Sequence, residues 1–226
     1  MEQQQEEIMK NSRTDKNFKL VLTALLAAII VVFTIVPYTG YISYGGVLEI
    51  TTLHIVVILG AVLIGPASGA ALGGVWGITC MLRALTNPLW APFVNPLVSL
   101  VPRVLVGLVS GAVFAGLMKF FSKKSSSPAD GENTSDNKKA KKGVKTTVAA
   151  ELAVISGTLT NTILVLITYN YFAGMMQSYA AVYEVFKGIF NTIIGLNFVV
   201  ETVLAAVIIP ILYSVLKSVY DRRISK

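Results

Sequence analysis

With one cysteine (Cys80) and one histidine (His54) in 226 residues, this chain has almost none of the residues that build disulfides or zinc sites. One thiol cannot make a bridge, and the pair falls short of the three or four ligands zinc takes, so neither metal nor cofactor is expected. Charge is also scarce. Only 14% of the residues are charged against 54% hydrophobic, and the mean hydropathy is +0.68, which excludes an ordinary soluble domain and points to lipid. Residues 1–17 lack the short basic start and small-residue cleavage site of a secretory signal, so they are expected to be a cytoplasmic tail. The GVKTT stretch at 143–147 lacks the glycine spacing of a phosphate-cradling loop, so the chain is not expected to be its own ATPase.

The formal net charge of +7 is informative through its distribution. Of 19 Lys and Arg, four lie near the N-terminus, eight between Lys119 and Lys145 and four from Lys217 onward, which leaves Arg83, Arg103 and Lys187. Basic clusters flanking apolar runs are what the positive-inside rule expects of cytoplasmic segments. No aromatic-interleaved basic groove accompanies them, so nucleic acid is not an expected partner.

The apolar runs predict an all-α integral membrane protein of about six transmembrane helices with both termini cytoplasmic. Helices one to four are expected within 18–121, a disordered basic cytoplasmic linker over 122–145, helices five and six within 146–219, and a C-terminal tail over 220–226. Gly65-Pro66 marks a tight inner turn between helices two and three. YTGYISYGG and TNPLWAPFVNP read as outer loops, and 173–190 as a looser outer connection.

Gly65, Gly69, Gly73 and Gly77 recur at four-residue spacing, and Gly107, Gly111 and Ala115 repeat the device, so both sets are expected to let neighbouring helices approach closely. Ala24 and Ala28 share a face of helix one, where spacing alone does not choose between internal packing and a partner. Ionisable groups inside spans usually face a cavity or a partner. Counting ~1.5 Å per residue from the outer ends puts Arg103 ~12 Å, Asn161 ~13–15 Å and Glu201 ~15 Å down their helices. Asn197 lies one turn above Glu201, Tyr169 lies above Asn161, and His54, Arg83, Asn87, Trp90 and Asn95 stand nearer the outer mouth, as a polar funnel. Arg103 and Glu201 can either pair with each other or meet a ligand. Glu151, near the inner interface, is assigned no ligand.

An intramembrane hydrolase is disfavoured. Ser110 in GLVSG lies ~22 Å below the outer end of its helix at 1.5 Å per residue, whereas His54 starts near the outer face. A Ser–Lys dyad is no better placed, because the lysines cluster in the tails and linker. A secondary transporter or small channel remains an alternative, although no inverted repeat is evident.

Six helices, the Ala-x-x-x-Ala face, TTLHIVVILGAVLIGPASGAALGGVWGI and NPLVSLVPRVLVGLVSG together resemble the S components of energy-coupling factor (ECF) transporters. The resemblance covers about 18–218 apart from the linker. It implies a bacterial cell-membrane protein that captures a vitamin at the outer face and docks through helix one, at Ala24 and Ala28. The implied partners are a membrane coupling subunit and two cytoplasmic ATPases, and the Tyr41/Tyr44 loop is the implied outer lid. The chain looks closest to the riboflavin, folate and pantothenate binders. Arg83 and Arg103 can pair with a carboxylate, and Asn161, Asn197 and Tyr169 can bond hydroxyl or amide groups, which leans toward pantothenate. Trp90, Tyr41 and Tyr44 can instead stack on a flat ring, as riboflavin or folate would need.

Overall fold

The computed structural model describes residues 2–44, 48–86, 88–125, 135–176 and 180–224. Among them are six α-helices, a two-stranded hairpin and a 3-10 helix. The helices are α1 (Glu2–Ile35), α2 (Leu53–Leu63), α3 (Pro66–Ala84), α4 (Pro96–Ser125), α5 (Ser135–Met175) and α6 (Ala180–Ile224). Strands β1 (Tyr41–Tyr44) and β2 (Leu48–Thr51) join α1 to α2, and the 3-10 segment Pro88–Val94 joins α3 to α4.

Four helices are long and apolar enough to cross a bilayer, over Asp15–Ile35, Pro96–Lys123, Gly143–Met175 and Ile194–Ser218. At 1.5 Å per residue α2 is only about 16 Å long, against a hydrocarbon core of about 30 Å. It is the central helix, packed against protein along its length: every residue but Val56 is buried, as expected of a helix that is apolar all round. It turns into α3 at Gly65, whose φ of 136° no L side chain adopts readily, and Pro66 fits the first helical position, where no N–H is needed.

The glycine ladders of α3 and α4 meet each other. A Cβ at Gly69 would stand 2.7 Å from the Gly107 carbonyl, one at Gly77 2.7 Å from Leu100 Cα, and one at Gly111 2.6 Å from Pro66 Cα. A Cβ at Gly73 would strike the carbonyl of Arg103. The two backbones therefore touch, as small-xxx-small packing permits.

Two apolar clusters result. The larger gathers α2 with Leu26 and Ile30 of α1, Trp76, Val106, Phe114, Val154 and Ile209. The smaller, at the hairpin end, holds Cys80, Phe93, Val98, Val165 and Tyr169. Outside them, α6 exposes Leu196, Val199, Val203, Val207, Ile211 and Val215, an apolar face suited to lipid rather than water. On α1, Leu26 and Ile30 point inward, while Val21, Ala24, Leu25, Ala28 and Ile35 are exposed.

Several expected boundaries move. The tail at 1–17 is helical from Glu2, and α6 carries helix to Ile224, into the segment expected as a C-terminal tail. Helix also covers 122–125 and 135–145 of the expected linker, where Lys and Ala are good helix formers that let an apolar helix run on into water. Residues 126–134 lie outside the described residues. The outer connection at 173–190 is largely helix, α5 reaching Met175 and α6 starting at Ala180. The loop after α1 is a hairpin, with Tyr41 opposite Thr51 and Ile42 opposite Ile50. Its aromatic and β-branched residues favour strands.

Candidate functional site

Pro102 supplies no N–H, so the carbonyl of Val98 one turn earlier loses its helical partner. The side chain of Arg103 replaces it, Nη1 donating to Val98 O at 2.7 Å. With its backbone pressed on Gly73, this arginine is held from two sides and is only 6% exposed. Its guanidinium lies 5.3 Å from the Trp76 ring centroid and 5.5 Å from that of Phe93, within cation–π range. Nη2 approaches Cys80 Sγ at 3.8 Å, a weak acceptor. Nε has no partner.

Arg103 forms the floor of a cavity of about 100 Å³ between the hairpin and α3–α6. Tyr41, Trp76, Trp90 and Phe93 line it with aromatic surface, and Asn161, Asn197, Glu49 and Glu201 with polar groups. Asn161 Oδ1 is also buried without a partner. Buried polar groups are rarely left unpaired in folded proteins. Arg103 and Asn161 both line the cavity, and among the described residues each keeps one buried polar atom without a partner.

The hairpin covers the cavity and is fastened at several points. Glu49 pairs with Arg83 through both oxygens, Nη2 to Oε1 at 2.6 Å, and Arg83 stacks 4.1 Å from the Tyr41 centroid and 5.0 Å from that of Trp90. Asn197 Nδ2 donates to Glu49 O at 2.7 Å, Trp76 Nε1 to the Tyr41 hydroxyl at 3.2 Å, and Thr51 N–H to Glu201 Oε1 at 2.9 Å. Burial pushes the Tyr41 phenol pKa up, so its hydroxyl keeps its proton.

The sequence-predicted residues therefore divide. Tyr41, Trp90, Arg103, Asn161, Asn197 and Glu201 line the cavity. Arg83 does not: its charge is spent on Glu49, so it holds the hairpin instead of waiting for a carboxylate. Arg103 and Glu201 share the cavity without an ion pair, and among the described residues the single salt bridge is Arg83–Glu49. His54 is buried off the cavity, its Nε2 3.2 Å from the Glu201 carbonyl. Asn95 Oδ1 accepts from Leu97 N–H at the start of α4, and Tyr169 packs behind Phe93 with centroids 5.4 Å apart. Asn87 and the side chain of Tyr44 lie outside the described residues. Ser110, the nucleophile weighed for a hydrolase, donates to Val106 O at 2.6 Å in its own helix.

Sequence reasoning missed Glu49, Trp76, Cys80, Phe93, Ile194 and Phe198. A signal was present for some of them. Trp76, Cys80 and Arg83 follow 4 and 3 apart on α3, and Ile194, Asn197, Phe198 and Glu201 repeat at 3, 1 and 3 on α6, so each set shares a helical face.

A buried arginine in an aromatic-walled cavity, set in a helical bundle with apolar faces outward, is the architecture of a membrane-embedded protein with an internal polar cavity. The chain belongs to the family of ECF transporter substrate-specific components, whose family model matches residues 18–213. Membership makes it a multi-pass protein of the bacterial plasma membrane and places it among transporter components rather than enzymes. Over 112 residues it is 35% identical to the pantothenate transporter PanT of Leuconostoc mesenteroides, covering 47% of this chain and 53% of that protein. The pantothenic acid transporter PanT of Lactococcus lactis is 26% identical over 175 residues, covering 70% of this chain and 72% of that protein. The chain thus spans about half the length of the first relative and nearly three quarters of the second.

Proposed function

We propose that this protein is the pantothenate-binding S component of an ATP-driven uptake system, capturing the vitamin at the hairpin side, which faces outward. The observation that carries the reading is Arg103, a buried guanidinium that lines an aromatic cavity and, among the described residues, has no carboxylate within salt-bridge distance. A carboxylate at one end of the ligand meets Arg103, and its amide and hydroxyls meet Asn161, Asn197 and Glu201. The names of both relatives support the same vitamin. The aromatic walls also suit the flat rings of riboflavin or folate, but a cavity of about 100 Å³ favours the smaller, flexible molecule. Ligand pockets usually measure about 300–1,000 Å³, so the lining must give as the vitamin enters.

Calorimetric titration of the detergent-purified protein with pantothenate, riboflavin and folate tests this. Saturable binding of pantothenate alone is expected, and binding of another of the three instead would transfer the assignment to that vitamin.

Six crossings, with both termini and the α4–α5 connection cytoplasmic, accord with the basic clusters. On this reading the exposed face of α1 at Ala24 and Ala28 docks on a membrane coupling subunit carrying two cytoplasmic ATPases. Small residues there let a partner helix approach closely. Replacing both alanines by Trp is expected to abolish co-purification of the coupling subunit while leaving vitamin affinity within about twofold, because neither residue lines the cavity. An intact complex would move the docking face elsewhere. A protein that binds the vitamin but recovers no partners even with its native alanines would act alone, as a secondary transporter or channel.

A further inference from the structure

A second cleft lies at the opposite end of the molecule, between the start of α5 and the end of α6, with a volume of about 310 Å³. Its origin is legible in the residues around it. Gly143 and Ala150 give α5 little side-chain bulk, and Pro210 interrupts the hydrogen-bond ladder of α6, so the two helices leave space between them. Thr146, Thr147, Ser214 and Lys217 edge that space, the Thr147 hydroxyl donating to Gly143 O at 3.2 Å and that of Ser214 to Ile211 O at 2.8 Å. Lys217 also reaches over the Tyr220 ring, 5.3 Å from its centroid.

The cleft sits at the membrane surface, since the apolar part of α5 begins at Gly143 and that of α6 ends at Ser218. From Lys217 to Pro210 it runs about 10 Å into the apolar layer at 1.5 Å per residue. One end is therefore cationic and hydroxylated at headgroup depth, and the other is apolar at acyl depth. The same helix ends carry Lys138, Lys139, Lys141, Lys142 and Lys145 on α5 and Arg222 and Arg223 on α6.

We propose that this cleft seats the headgroup of an anionic phospholipid, its phosphate against the Lys217 ammonium and its first acyl carbons along Pro210. Charge and depth both select this occupant: basic pockets between helices on the cytoplasmic side attract anionic headgroups, whereas a soluble phosphate has no use for the apolar half. The inference rests on family membership and the basic end of the fold, not on the vitamin assignment.

The test is native mass spectrometry of the full chain released from membranes of equal phosphatidylglycerol and phosphatidylcholine, with pantothenate titration in parallel. The parent protein is expected to retain phosphatidylglycerol selectively. K217Q, which removes the charge, and S214L, which fills the cleft, should each lower that retention at least fivefold, K217R should preserve it, and vitamin affinity should stay within twofold throughout. Equal retention of the two lipids, or retention unchanged in K217Q and S214L, would overturn the proposal. Displacement of the lipid by inorganic phosphate at millimolar concentration would overturn it too, in favour of a soluble phosphate site.

Discussion

Arg103→Ala is expected to lose pantothenate binding by roughly 30-fold to several thousand-fold, the about 2–5 kcal/mol that follows when one partner of a buried charge pair is removed. The fold should survive. Among the described residues no carboxylate lies within salt-bridge distance of this arginine: the salt bridge there is Arg83–Glu49, and Glu201 Oε1 accepts from the Thr51 N–H. The structural cost is the Val98 carbonyl left open beside Pro102, about 1–3 kcal/mol, together with the guanidinium's packing on Trp76 and Phe93. Arg103→Lys keeps the charge but loses the planar fork that can face a carboxylate and Val98 O together, so a loss of about tenfold is expected. Titration and thermal unfolding of the same preparations separate the possibilities. Vitamin binding undiminished in R103A would remove the carboxylate contact from the site, and a collapse of the fold would make Arg103 a structural residue.

The second large effect concerns stability. Gly107→Leu is expected to destabilise the protein by about 3 kcal/mol or more, and with it to depress expression, because overpacking here meets backbone instead of a yielding side chain. Any Cβ at Gly107 strikes the carbonyl of Gly69, and its next neighbour is the Ala70 nitrogen 2.8 Å away. The control lies on the same helix. Gly116 has nothing within 4 Å of where a Cβ would stand, so Gly116→Leu should not destabilise and is expected to gain about 0.5–1 kcal/mol of helix propensity. Thermal unfolding in detergent compares the two. Similar melting temperatures would mean that α3 and α4 are not in backbone contact.

These two regions also mark what the sequence discloses and what it hides. The glycine spacing on α3 and α4 is local, and local spacing sets which face is small, so the close approach was readable before any coordinates. Depth along a helix is nearly as direct, which is why Arg103, Asn161 and Glu201 were expected at one level and do line one cavity. Pairing across the molecule is not local. Glu49 and Arg83 are 34 residues apart and meet because the turn at Gly65 brings α3 back beside the hairpin. Without that turn in view, Arg83 and Arg103 look equivalent, and only the fold tells the neutralised arginine from the free one. The ends of the linker, helical at 122–125 and 135–145, differ from the expectation for another reason: lysine-rich composition suits solvated helix as well as disorder, and composition alone does not choose.

The hairpin carries one last consequence. Tyr41, Glu49 and Thr51 belong both to the strands and to the cavity wall, so any movement of the hairpin opens that wall. On the proposed function, release through the hairpin would break the Glu49–Arg83 pair and the Asn197–Glu49 and Thr51–Glu201 contacts together, and a cooperative step of that kind lengthens residence. A vitamin so held would stay bound through the interval before its transport partner is met, the grip residing in the dissociation rate rather than in the speed of arrival.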